Sequence, residues 1–296
     1  MKMAQITAQL VKELRDRTQL PMMDCKKALQ EADGDIPKAE EILRKSGALA
    51  AAKKAGRETA EGRVAASVTD DGSRGAIIEI RCETAPVANT DAFVRMGETI
   101  AAHLATTDVL PESVDALLDQ RRASGDGTIR ELVNDVINKI RENMQVVRFA
   151  RLEGDLITSY EHHNGQVAVI LRLACEGGAS PNPEAAQFAR DLCMHITAMS
   201  PMALDRDGIA SDVAAKEKEI IQAQVQVQAK NKPPQIVEKI VTGKLNKWYN
   251  DRVLLEQPFV KDDKKTVKQA LDEVAKGSGK PIVIKRYLRY EVGGTG

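Results

Sequence analysis

The chain has 296 residues, and 43 Lys and Arg balance 43 Asp and Glu, so no basic field marks it for nucleic acid or an anionic membrane. Aromatic residues make up only 3% of it, which leaves little surface for stacking bases. Cys25, Cys82, Cys175 and Cys193 stand far apart without a CxxC pair, so they read as buried free thiols in a reducing compartment. With no signal peptide and no apolar run long enough to cross a bilayer, a soluble cytoplasmic protein of two or three domains is expected.

The first elements are helical. Ile6, Leu10, Val11 and Leu14 recur at helical spacing, and Thr7 is placed to open their helix. Pro21 breaks it, and a second helix follows with Cys25, Ala28, Leu29 and Ala32 inward. Asp33-Gly34-Asp35 then forms a turn in which Gly34 can take positive φ. Asp35 can cap a third helix with Pro37 in its first turn. That helix should bury Ile36, Ala39, Ile42 and Leu43 and stop at Ser46-Gly47, closing a three-helix module over 1–47. Met22 and Met23 fall at its corner. Methionine is a good filler of small cores, but two adjacent ones cannot both face inward, so at least one is expected at the surface.

Residues 48–62 are Ala-rich and charged, without large apolar side chains, and read as a partly helical linker. Strand patterns follow at 64–68 and 76–82, around the turn Asp70-Asp71-Gly72-Ser73. Helical segments are expected at 90–105, 114–122 and 129–144, strands at 146–152, 156–160 and 166–174, and a helix at 184–199.

These stretches repeat one another. Gly62 to Ser67, a turn and Ile80-Arg-Cys82-Glu83 are echoed by Gly154 to Ser159, a turn and Leu173-Ala-Cys175-Glu176. His103 and His195 fall at the same offset. One such unit covers a single sheet face, and two can share a core, so a duplicated α+β domain is expected. Its units would span 63–145, and 146–211 with 251–296. Between the halves of the second, 212–250 carry Val213, Ile220, Val225 and Val227 on one helix and Ile236, Ile240 and Leu245 on another. Pro233-Pro234 marks the bend of an antiparallel helical hairpin. Thr266 can cap a helix to Lys276, and 282–292 return as a strand that completes the second unit.

Signatures of covalent chemistry are missing: no phosphate loop, no GxSxG elbow, no HExxH and no dinucleotide turn. His162-His163 is a poor metal pair, because neighbouring residues of a strand point to opposite faces. His103 and His195 occur singly on helices and read as packed or surface histidines. The sequence nominates neither catalytic residues nor metal ligands nor a cofactor.

The stretch LRDRTQLPMMDCKKALQEADGDIPKAEEILRKSG resembles the ubiquitin-associated-like N-terminal domain of the elongation factor Ts family. Leu14-Arg15, Thr18, Met22 to Leu29 and Gly34-Asp35 carry the likeness, with Pro21 where the family has a small residue. The linker Ala51–Gly56, the coiled-coil insertion, Gln257-Pro-Phe and the two-part core extend it over nearly the whole chain. The extra C-terminal helix that some members carry is not expected after Gly293-Gly-Thr-Gly296.

The resemblance implies a guanine-nucleotide exchange factor that binds elongation factor Tu, disturbs its magnesium and phosphate subsites and lets GDP leave. Neither nucleic acid nor membrane is implied as a partner. Lys12, Arg15, Met22, Met23 and Lys26 match the surface that grips the GTPase. Glu79, Cys82, Thr84, Val87 and Ala88 match the signature of the inserting turn, where Ala85 and Pro86 are also expected contacts, and His162 and His195 are expected contacts in the second unit. One departure matters. The family's signature has Asp-Phe at the turn, and this chain reads Glu79-Ile-Arg-Cys-Glu-Thr-Ala-Pro-Val-Ala-Asn89. Ala85 cannot accept a hydrogen bond through its side chain, and Pro86 offers less apolar area than Phe. Pro86, Val87 or Phe93 would then serve as the wedge. The alternative is a Tu-binding scaffold or chaperone-like paralogue with weakened exchange.

Overall fold

The computed structural model describes residues 6–175, 183–228 and 233–294. The Thr7 hydroxyl accepts from the Leu10 N–H and opens α1, Ala8–Thr18. Gln19 then takes a left-handed conformation, φ 58°, and Pro21 leads into α2, Met22–Glu31. Asp33 and Gly34 both have positive φ, at 53° and 86°, and the Asp35 carboxylate caps α3 by accepting from the Lys38 N–H. Leu14, Cys25, Ala28, Leu29, Ala39 and Leu43 lie at the heart of a small core that belongs to these three helices.

The third helix does not stop at Ser46-Gly47. It runs Ile36–Lys54, because the following alanines and lysines are strong helix formers. Gly47 lies inside it, where there is no room for a Cβ against Asn138, and Ala51 reaches a second core. The stretch read as a linker is therefore helix for half its length, and only 55–60 lack regular structure before the first strand.

The first sheet is antiparallel, in the order β1 (Glu61–Val68), β2 (Arg74–Cys82), β3 (Met144–Glu153). Between β2 and β3 lie α4 (Ala85–Ala88), α5 (Asp91–Thr106), α6 (Val114–Asp119) and α7 (Ile129–Ile140). The last two are shorter than their patterns suggested. Arg141 terminates α7 with φ 74°, and Met144 belongs to β3 rather than to the helix. The second sheet, also antiparallel, has the order β4 (Leu156–Glu161), β5 (Val167–Cys175), β8 (Ile282–Glu291). Between β5 and β8 come α8 (Pro183–Met199), α9 (Ser211–Gln228), α10 (Pro234–Arg252), the short pair β6 (Pro258–Phe259) and β7 (Asp262–Thr266), and α11 (Val267–Ser278).

The alternation of strand side chains shows how the sheets meet. Ala76, Ile78, Ile80 and Cys82 of β2 pack under α5 and α7, while Ile77 faces the other sheet. In β5, Val169, Leu171, Leu173 and Cys175 pack under α8 and α11, while Ala168 and Ile170 turn to the first sheet. Both strands are buried on two faces, and the shared layer joins the units. A Cβ on Gly75 would sit 2.5 Å from Ile157 Cγ2, so glycine there permits the close approach of β2 to β4. Glu79, fully buried, accepts from Arg148 Nε at 2.6 Å, Arg81 Nε at 2.7 Å and the Gly293 N–H at 3.0 Å. Burial alone would raise its pKa. The Gly293 N–H and the two guanidinium groups outweigh that and hold it below the ordinary value.

Hydrogen bonding repeats between the units. His103 pairs through Nε2 with Gln120 Oε1 at 2.8 Å and accepts at Nδ1 from the Ala123 N–H at 3.1 Å. His195 does the same with Gln257 Oε1 at 2.9 Å and the Val260 N–H at 3.2 Å. Because Nδ1 accepts in both, each ring carries its proton on Nε2 and donates to glutamine. Thr128 with Glu131 and Thr266 with Gln269 make matching capping boxes.

In the hairpin, α9 and α10 meet through Ile221, Val225 and Val241, supported by Val237, Ile240 and Leu245. Val213, Ile220, Val227 and Ile236 are exposed. The seam is narrow, and those four lie off it.

Candidate functional site

The corner between α1 and α2 presents the first group of candidates. Lys12, Arg15 and Lys26 are all exposed on its outer face. Met22 and Met23 are 51% and 62% exposed. The helical stripe of Cys25 and Leu29 would draw Met22 inward, but Met22 begins the helix and lies past the end of the core. Neither methionine fills the module. Both are free to be covered by something else.

The turn after β2 presents the second group. Thr84 is the residue before α4, yet its side chain does not cap that helix. It is engaged by Glu142: the Thr84 hydroxyl donates to Oε1 at 2.7 Å and its N–H to Oε2 at 3.1 Å. Next to it, Glu83 Oε1 accepts from the Asn143 N–H at 2.6 Å and from Arg57 at 3.3 Å. The Ala85 carbonyl accepts from Asn89 Nδ2 at 3.0 Å. Ala85 and Pro86 stand exposed on this tied backbone, Val87 is half-buried, and Ala88 faces the core. Phe93 has no exposure at all, so it cannot be the wedge. It is the third residue of α5 and anchors that helix under the sheet.

The β4–β5 turn brings a third group to the same edge. His162 is half-buried and bonds through Nδ1 to the Tyr160 hydroxyl at 3.3 Å, and His163 is exposed beside it. The Gly165 carbonyl accepts from the Val64 N–H at 2.8 Å, and Gln166 Nε2 donates to the Gly62 carbonyl at 3.0 Å. Between these contacts Arg63 reaches Asn89 Oδ1 at 3.1 Å, linking the His162 turn to the end of α4.

His195 does not belong to the surface. It is fully buried among Gln257, Val260 and Phe259, and burial lowers its pKa despite the Gln257 bond. Its expected role as a partner contact is corrected to an internal strut, for a reason visible in the repeat: His103 plays the same part in the first unit.

Sequence reading missed the residues that assemble this edge. Glu142 meets Thr84 across 58 positions, and Arg141 bonds Asp24 across 117. Nothing local in the Arg141-Glu142-Asn143 stretch announces either contact.

The chemistry on offer is that of contact. The Cys82 thiol, nearest the turn, is pushed up to about 11 by burial and then by the Glu142 charge, so it stays protonated and unreactive. Among the described residues, no three His, Cys, Asp or Glu gather in a way that could hold a metal ion. No described helix is long and apolar enough to cross a membrane.

Comparison with known proteins gives a consistent picture. The profile of one family, described as Elongation factor TS, matches residues 83–294. The Elongation factor Ts of Clostridium perfringens strain SM101 is 43% identical over 290 residues, covering 97% of this chain and 93% of its own length. That of Clostridium botulinum strain 657 is 40% identical over 291 residues, covering 97% and 92%.

Proposed function

The chain belongs to the elongation factor Ts family, and from that premise we propose that it is a guanine-nucleotide exchange factor that binds elongation factor Tu in the cytoplasm and promotes the release of GDP. The observation that carries this reading is the placement of two exposed apolar spots, Met22–Met23 and Ala85–Pro86, on segments bonded to successive residues past one helix end. A protein that works this way needs no nucleophile, metal or cofactor. It needs a grip on the GTPase and a second element that alters the nucleotide site.

The corner of α1 and α2 supplies the grip, with Met22 and Met23 buried on docking and Lys12, Arg15 and Lys26 around them. The turn at Thr84–Val87 enters near the magnesium and phosphate subsites, and His162 contacts the partner from the second unit. Pro86 and Val87 are the apolar part of the intruding turn. A second reading, a Tu-binding scaffold with weakened exchange, draws on one feature: Ala85 has no acceptor and Pro86 is small.

Binding and release are coupled. A factor that weakens GDP affinity is itself weakened by GDP to the same degree, typically by about 1–3 kcal/mol. Calorimetry with the cognate GTPase should therefore give tight binding without nucleotide and weaker binding in excess GDP. Equal affinity in both conditions would remove the exchange reading and leave the scaffold.

A further inference from the structure

The two docking spots are joined by three consecutive residues. Past the end of α7, Arg141 bonds the carboxylate of Asp24, the residue after Met23. Glu142 spends both carboxylate oxygens on Thr84, at 2.7 and 3.1 Å. Asn143, 2% exposed, donates its N–H to Glu83 at 2.6 Å and its Nδ2 to the Arg57 carbonyl at 2.8 Å. We propose that Arg141-Glu142-Asn143 is a positioning bracket, with Glu142 its principal residue, that fixes the Thr84–Val87 turn relative to the Met22–Met23 corner. The inference rests on the exchange reading above.

The bracket has a rigid base. The Thr128–Glu131 capping box opens α7, and Ile129, Val133, Val136 and Ile137 bury its inner face. Arg141, at φ 74°, turns the chain so that successive side chains serve different segments. Thr84 loses its usual use as a cap, and the four-residue α4 has no side-chain cap of its own. The turn's geometry therefore depends on Glu142. A group that must enter another protein's site gains from being held in place beforehand, since displacements on the order of 1 Å cost up to about a hundredfold in rate. Glu142 acts through Thr84, so it governs the release step more than the encounter.

The test is stopped-flow release of a fluorescent GDP analogue from the cognate elongation factor Tu, as a function of full-length factor concentration. Glu142→Ala should lower the maximal rate about tenfold while the half-saturating concentration moves less than about twofold. Its thermal midpoint should match that of the natural protein. Glu142→Gln keeps one acceptor for the Thr84 hydroxyl and should fall between the two. Thr84→Val should slow release similarly, and the double variant Thr84→Val with Glu142→Ala should be no slower than the worse single variant. A natural maximal rate in Glu142→Ala, or losses that multiply in the double variant, would overturn the bracket while leaving exchange intact. If the unaltered protein does not accelerate release, the exchange reading fails and the bracket with it.

Discussion

In the proposed complex with the GTPase, Met22 and Met23 are the central apolar contacts. At 51% and 62% exposed, they contribute little to the module's own core, which closes on Leu14, Cys25 and Leu29 without them. Replacing both by Ala should weaken association with the GTPase by about 1–3 kcal/mol, as central apolar contacts do. Helicity and the thermal midpoint should stay put, which circular dichroism alongside a binding curve would check. His195 makes the opposite kind of prediction. Its folded pKa lies below the ordinary 6.5, so the unfolded chain binds the proton more readily. Stability should be full above about pH 6.5 and fall as the pH drops from there toward the folded value. His195→Gln should flatten that part of the melting-temperature profile between pH 7.5 and 5.5. If the slope is unchanged, other groups cause it.

At the scale of elements, local pattern and distant contact divide what was legible. The stripe of Leu10, Val11 and Leu14 and the caps at Thr7, Asp35 and Thr266 could be read in the sequence, because each signal lies within a few residues. The end of α3 could not. The alanines and lysines beyond Gly47 are local helix formers, but Gly47 reads as a stop, and what calls for a glycine there is a distant contact, the close approach of Asn138 of α7. The turn at Thr84–Val87 was legible as a departure from a family pattern, whereas its fastening by Glu142 was not, since the partner lies 58 positions away. This turn also carries the sharpest element-level prediction. Ala85→Asp with Pro86→Phe adds an acceptor and a larger apolar wedge on an already tied backbone. GDP release at saturating factor should accelerate roughly ten- to a hundredfold, the worth of one or two contacts formed mainly after nucleotide loss. An unchanged or slower rate would mean that the site is opened by another route.

Across the whole molecule, the two sheets behave as one body because their inner faces share a layer and Glu79 ties both. The carboxylate holds Arg81 and Arg148 and accepts from Gly293, while Arg148 lies over the Tyr290 ring at 4.1 Å and donates to the Glu291 carbonyl at 3.1 Å. Removing one member of such a buried cluster strands the others. The two arginine side chains are about a quarter exposed, at 25% and 22%, and this relieves part of the cost. Glu79→Ala should therefore destabilise the protein by about 2–3 kcal/mol, measured by urea unfolding as a shifted midpoint of one transition. Two separate transitions would mean that the units are not coupled through this layer.

If this chain releases GDP from elongation factor Tu repeatedly rather than holding the GTPase in a complex, a catalytic amount should suffice. The most direct measurement loads the cognate GTPase with labelled GDP, adds excess unlabelled nucleotide, and supplies the protein at a small fraction of the GTPase concentration. The whole GTPase population should then exchange at a rate proportional to the amount of protein, because each molecule dissociates once new nucleotide has bound. Exchange that stops after one equivalent, or that proceeds no faster than without the protein, would contradict it.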